Sequence, residues 1–382
     1  MAKRSALLAA AAVAALVAPL PAAMSNTADA ADTADTVGVA EYNLGDTAFT
    51  MPGFLGPNEL QAVVHYPTTP SRDPRPLVIA LHGMWATCVD VAAHEAKSDA
   101  WPCPDGQVRL PSYRGYDYLG DALARKGFIV VSIGANGINT ANAGDGYADR
   151  AHLISKHLQL WRDLAANDGG ELAGKFIDPT GAPVDLRFRG QVDLTKVGVI
   201  GHSRGGMAAM LHSSAEWQAQ WPTGVRVAAV LGVAPVYNYA EPTEVTSVPF
   251  AILDGGCDEI RGAKYFDDVR GRATVPIHHF TVHGANHNFQ NTQWSPESGQ
   301  AGAVDDAYHD GLPAGRCTDG QQGSQPAKQL TESQQRTVTT TYATAFFERY
   351  LANRTEYDPV LTGLEHPVES ITPVDVRWAA AG

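Results

Sequence analysis

Apolar positions along this chain fall into short runs separated by segments with helical spacing, and the two kinds alternate. Glu59–Tyr66 ("ELQAVVHY") alternates as a half-buried strand does, whereas Pro76–Leu81 ("PLVIAL") and Phe128–Ile133 ("FIVVSI") are unbroken apolar runs suited to strands covered on both faces. Helical stripes occupy Tyr116–Lys126, closed by Gly127, and Arg150–Ala166, with Leu153, Ile154, Leu158, Leu160, Trp161 and Leu164 on one side. The later half repeats the rhythm. Strands are expected at Val197–Ile200, Val225–Val230, Pro249–Leu253 and Ile277–Val282, with helices at Gly206–Ser214, Ala263–Arg270 and Thr331–Ala352. Such alternation predicts the α/β class, a mainly parallel central sheet with helices on both faces.

Three segments lack a period: Asn167–Asp193, Gln290–Gln329 and the tail after Asn353. They are expected to shape the rim of a pocket, as is Ser132–Gly146, which follows a strand end.

The N-terminus carries Lys3 and Arg4, then an apolar run from Ala6 to Leu20, then small residues, the layout of a secretory signal peptide. Ala28-Asp29-Ala30 and Ala23-Met24-Ser25 both offer cleavage sites. The run is short and broken by Pro19 and Pro21, so no stable membrane anchor is expected and the protein reads as secreted. The expected organisation is a signal peptide over 1–30, a disordered leader over 31–41, one main domain over 42–355 and a tail over 356–382 packed on or flanking it. Export makes disulfides accessible to the four cysteines, for which three pairings exist; Cys88 with Cys103 and Cys257 with Cys317 is preferred.

A formal net charge of −13 without a Lys/Arg cluster argues against a nucleic-acid partner. No G-x-G-x-x-G follows the first strand, and neither H-E-x-x-H nor C-x-x-C occurs, so neither cofactor nor metal is expected. The acidic stretch from Asp305 and Asp306 to Asp310 reads as a solvated loop.

The chemistry begins at "VGVIGHSRGGMAA", where Ser203 stands in Gly201-x-Ser203-x-Gly205 between a predicted strand and a predicted helix. A turn that sharp brings main-chain segments so close that only small residues fit two positions to either side, and it lifts a hydroxyl above the sheet. Serine needs a general base to attack a carbonyl, and a base needs an acid to orient it. Both should follow Ser203 at later strand ends. "LDGGCDE" offers Asp254, Asp258 and Glu259, of which Asp258 is preferred because its loop can swing toward a histidine. "IHHFTVHGANHNF" offers His278, His279, His283 and His287; His287 is preferred, past the strand and after Gly284, with His283 next. The oxyanion requires N–H donors, expected from Arg204 and from Met84 after His82-Gly83, with Trp85 as a possible substrate wall.

On "LHGM", "GHSRGG", "GGCD" and "GANHN", the chain from about Glu59 to Ala352 resembles the α/β-hydrolase superfamily of serine esterases and lipases. Gly201–Gly206 looks like the hexapeptide of chlorophyllases, and the layout with export resembles secreted bacterial cutinase-like and platelet-activating-factor-acetylhydrolase-like enzymes. The resemblance implies Ser203, Asp258 and His287 as the triad and a carboxylic ester, small or polymeric, as substrate. A monomer is favoured. A secreted peptidase or amidase on the same fold, and a binding protein on an inactive hydrolase scaffold, are the alternatives.

Overall fold

A computed structural model describes residues 36–54, 56–98, 100–141, 146–237, 243–259, 262–320 and 326–382. The expected signal peptide, and residues 31–35 of the expected leader, lie outside them.

Ten strands make one sheet: β1 (Val37–Asn43), β2 (Gln61–Pro67), β3 (Arg75–Leu81), β4 (Ile129–Ile133), β5 (Phe176–Ile177), β6 (Val192–His202), β7 (Val227–Val233), β8 (Phe250–Gly255), β9 (Ile277–Val282) and β10 (Val374–Ala379). Their spatial order is β10-β9-β8-β7-β6-β3-β4-β2-β1-β5. The inner six, β4-β3-β6-β7-β8-β9, pair in parallel, while β2, β1 and β5 on one side and β10 on the other join antiparallel.

Strand side chains alternate between faces, and the core divides accordingly. Leu77, Ile79 and Leu81 of β3 pack with Leu158, Trp161 and Leu164 of helix α2 (Tyr147–Asn167), Met210 of α3 (Arg204–Ser213) and Phe266 of α4 (Ala263–Val269). Val78 and Ala80 of the same strand face Leu119 and Leu123 of α1 (Asp117–Ala124) and Tyr342 and Phe346 of α5 (Glu332–Leu351). Helices therefore cover both faces, and apolar strand runs with no polar face are the sequence consequence. Thr331 caps α5 by accepting from the N–H of Gln334 at 3.2 Å, and Gln334 reaches back to the Thr331 N–H.

The structure departs from expectation mainly at the sheet edges. Residues 37–41 are not a disordered leader: they belong to β1, which exchanges main-chain hydrogen bonds with β2 over its full length and buries Ala40. Asn167–Asp193 does not line the cleft at the carboxyl ends of the inner strands: its Phe176–Ile177 pairs with β1 at the far edge, and its Arg187, Phe188 and Gln191 line a separate hollow with Tyr66 and Arg75. The tail does not either; Val374–Ala379 extends the opposite edge against β9. No helix among the described residues is long and apolar enough to cross a membrane.

Both preferred disulfides are present. Cys88–Cys103 staples a small three-stranded sheet of Cys88–Asp90, Glu95–Lys97 and Gln107–Arg109, and Cys257–Cys317 ties the loop after β8 to the Gln290–Gln329 segment.

Candidate active site

The carboxyl ends of the parallel strands surround an open cleft of about 630 Å³. Each sequence-predicted site residue reaches it from a different connection. Met84 and Trp85 follow β3, Ser203 and Arg204 follow β6, Asp258 follows β8 and His287 follows β9. This is where an open parallel sheet leaves a crevice, since the loops diverge there.

Ser203 sits between the last residue of β6 and the first of α3 with φ +57° and ψ −125°. A non-glycine residue in that region carries on the order of 1–3 kcal/mol of backbone strain. Two close approaches enforce the turn. A Cβ on Gly201 would lie 2.0 Å from the Gly205 carbonyl oxygen, and a Cβ on Gly83 would lie 2.6 Å from Ser203 Cβ and 3.1 Å from the Arg204 nitrogen. Gly83 thus lets the loop after β3 lie directly against the start of α3. The first N–H groups of a helix have no intrahelical carbonyl, which is what makes the Arg204 main chain suitable as an anion donor.

His82 holds the facing loop in place. It is fully buried, its Nε2 accepts from the Ala135 N–H at 2.8 Å, and its Nδ1 lies 2.9 Å from the Gly83 carbonyl. One accepting and one donating nitrogen define a neutral ring, and burial holds its pKa down at about 3. In the sequence His82 is marked only by its place before Gly83. The bond that reveals its role spans 53 residues.

His287 Nδ1 donates to Asp258 Oδ2 at 2.8 Å, with Asp258 buried and the imidazole half-buried at the cleft wall. Burial presses the His287 pKa down, but the combined carboxylates of Asp258, Asp306 and Asp254 outweigh it and raise it above the ordinary 6.5. With Nδ1 held, Nε2 is the nitrogen left for the cleft. Ser203 lines the same cleft, and among the described residues its Oγ is not hydrogen-bonded to the imidazole.

The other candidates are accounted for elsewhere. Asp254 Oδ2 binds His279 Nε2 at 2.8 Å inside the sheet, His278 bonds Tyr350 and the Leu361 carbonyl, and His283 bonds Asp375. Glu259 lines the cleft beside Asp258.

Of the unpatterned segments, Gln290–Gln329 does meet the site. Its Trp294 is fully buried, stacks on Trp85 at 5.3 Å and lies 5.0 Å from the ring of His202, which is itself 4.8 Å from the ring of His287. Trp85 is therefore both cleft wall and packed residue. The same segment supplies Asp306 and Asp310 to the lining, so Asp306 is not part of a solvated loop: it is 8% exposed. Tyr147 lines the cleft just beyond Ser132–Gly146, of which residues 142–145 lie outside the described residues. No three His, Cys, Asp or Glu side chains among the described residues are gathered as a shared metal ion would require.

A scan against protein-family models finds no match, and a search of curated proteins finds no similar sequence. The chemistry of the cleft is thus read from its own residues.

Proposed function

We propose that the protein is a secreted serine hydrolase of the α/β-hydrolase type that cleaves carboxylic esters. The observation that carries this reading is the convergence on one cleft of a serine at a strained strand-to-helix turn and a histidine whose Nδ1 is held by a buried carboxylate. The parallel core with the cleft at its carboxyl ends, and two disulfides that suit an oxidising compartment, support it.

In this reading His287 Nε2 takes the proton of Ser203 as Oγ attacks the ester carbonyl. The N–H groups of Met84 and Arg204 receive the oxyanion, and the Asp258 carboxylate stabilises the imidazolium. The imidazolium then gives its proton to the leaving alkoxide. Water, deprotonated by the same imidazole, attacks the acyl-enzyme and regenerates Ser203 with release of the acid. The fixed dipoles matter most, because donors already in place cost no reorganisation as charge develops.

The base works only when neutral, so activity is lost as pH falls through the raised His287 pKa, and the acid limb should have its midpoint above 6.5. A panel of esters of graded acyl length, with a polyester film, run on wild type and Ser203→Ala across pH tests the proposal. Ser203→Ala is expected to lower turnover about 10⁴- to 10⁶-fold. Near-normal ester hydrolysis in that variant refutes it, and cleavage of aminoacyl amides with none of esters would replace esterase by amidase.

A further inference from the structure

The proposed triad leaves one buried carboxylate at the cleft without a task. Asp306 comes from the segment between β9 and α5, and its two oxygens are spoken for: Oδ2 accepts the His287 N–H at 2.5 Å and Oδ1 accepts from Asn288 Nδ2 at 3.2 Å. Burial, then the neighbouring charge of Asp258, lifts the Asp306 carboxyl to about 7, against the pull of His287. An asparagine could accept the same N–H without like-charge repulsion from Asp258 and Asp310. A carboxylate kept there at that cost points to a use for its charge.

We infer that Asp306 is a positioning residue for the catalytic base, pinning the main chain that carries the His287 ring and, when ionised, adding a negative charge that favours the imidazolium formed as Ser203 attacks. This rests on the triad reading above. Asp258 fixes the ring at Nδ1 and Asp306 fixes the main-chain N–H, so His287 is held at two points. Charge-assisted bonds of this kind are shorter and stronger than neutral ones, and an outer partner that orients a reacting side chain is commonly as necessary as the side chain's first contact.

The charges that bear on His287 come from every loop around it. The end of β8 and its loop supply Asp254, Asp258 and Glu259; the end of β6 and the start of α3 supply His202 and Arg204; and the late segment supplies Asp306 and Asp310. His279 faces Asp254 from β9. His202 is kept neutral, first by burial and then by the charge of His287. Among the carboxylates around the ring, Asp306 is the one that accepts the His287 N–H.

The test is kinetic and spectroscopic on the full chain. Asp306→Asn should lower plateau kcat/KM about tenfold, and both the acid limb of the rate and the NMR titration of the His287 ring, followed in Ser203→Ala, should move to lower pH. Asp306→Glu keeps the charge but alters its reach, so its plateau should fall while its acid limb stays. An acid limb and ring titration that stay put in Asp306→Asn, or that move down in Asp306→Glu, overturn the inference. If Ser203→Ala hydrolyses esters like wild type, the triad reading fails instead, and the ring titration still decides whether Asp306 acts on His287.

Discussion

Two histidine–aspartate pairs stand a loop apart on β8, β9 and the connections that follow them, and both close at 2.8 Å. His279–Asp254 is enclosed in the sheet, each side chain 2% exposed, with Asp254 Oδ2 also taking the Gly262 N–H at 2.7 Å. It holds its histidine by Nε2, which turns Nδ1 into the protein, where it meets no hydrogen-bond partner among the described residues. His287–Asp258 holds its histidine by Nδ1, at a cleft wall shared with Ser203. The length of the bond does not distinguish a structural pair from the base and orienting acid proposed here. What does is which ring nitrogen is held and what space the other one meets.

The comparison predicts opposite outcomes for the same substitution. Asp258→Asn should lower kcat about 10³- to 10⁴-fold, by offering the wrong partner to Nδ1, with a small change in melting temperature. Asp254→Asn should cost about 3–5 kcal/mol of stability, since it breaks a buried pair, yet leave the rate of the folded fraction near that of wild type. Rate assays beside thermal melts separate the two. A rate lost at Asp254 with stability lost at Asp258 would break the distinction drawn between them.

A smaller effect separates the two disulfides. Cys257–Cys317 closes 60 residues and Cys88–Cys103 closes 15, so chain entropy assigns about 4 and about 3 kcal/mol respectively. The longer link also lies beside Asp258 and anchors the segment that carries Asp306. The Gly256 N–H bonds the Val282 carbonyl, the Cys257 N–H bonds the Ala285 carbonyl and the Gly320 N–H bonds the Gly256 carbonyl, a seam joining the Asp258 loop, the His287 loop and the late segment. Paired alanine substitutions at Cys257 and Cys317 should therefore reduce activity in the folded fraction as well as stability. The same change at Cys88 and Cys103 should act mainly on stability, as chemical denaturation with parallel assays would read.

What was legible in the sequence is what short-range physics writes there. The inner strands announce themselves as apolar runs because both faces are covered, and Ser203 stands out because Gly201 must admit the Gly205 carbonyl only four residues away. Asp258 and His287 follow from strand ends, since a parallel sheet delivers its site there. The rest depends on contacts between distant residues. β10 at one edge and β1, next to the other, are short strands defined by the partners they pair with. Asp306 reads as one acid among several until the fold sets it under the His287 N–H, and His82 and Trp294 show their roles only through Ala135 and His202.

The most direct measurement of the central claim is where a fluorophosphonate probe attaches, read by peptide mass spectrometry on wild type and His287→Ala. The account predicts a single adduct on Ser203 in wild type, strongly reduced when His287 is removed. No adduct, or one on another residue with equal yield in both proteins, would contradict it.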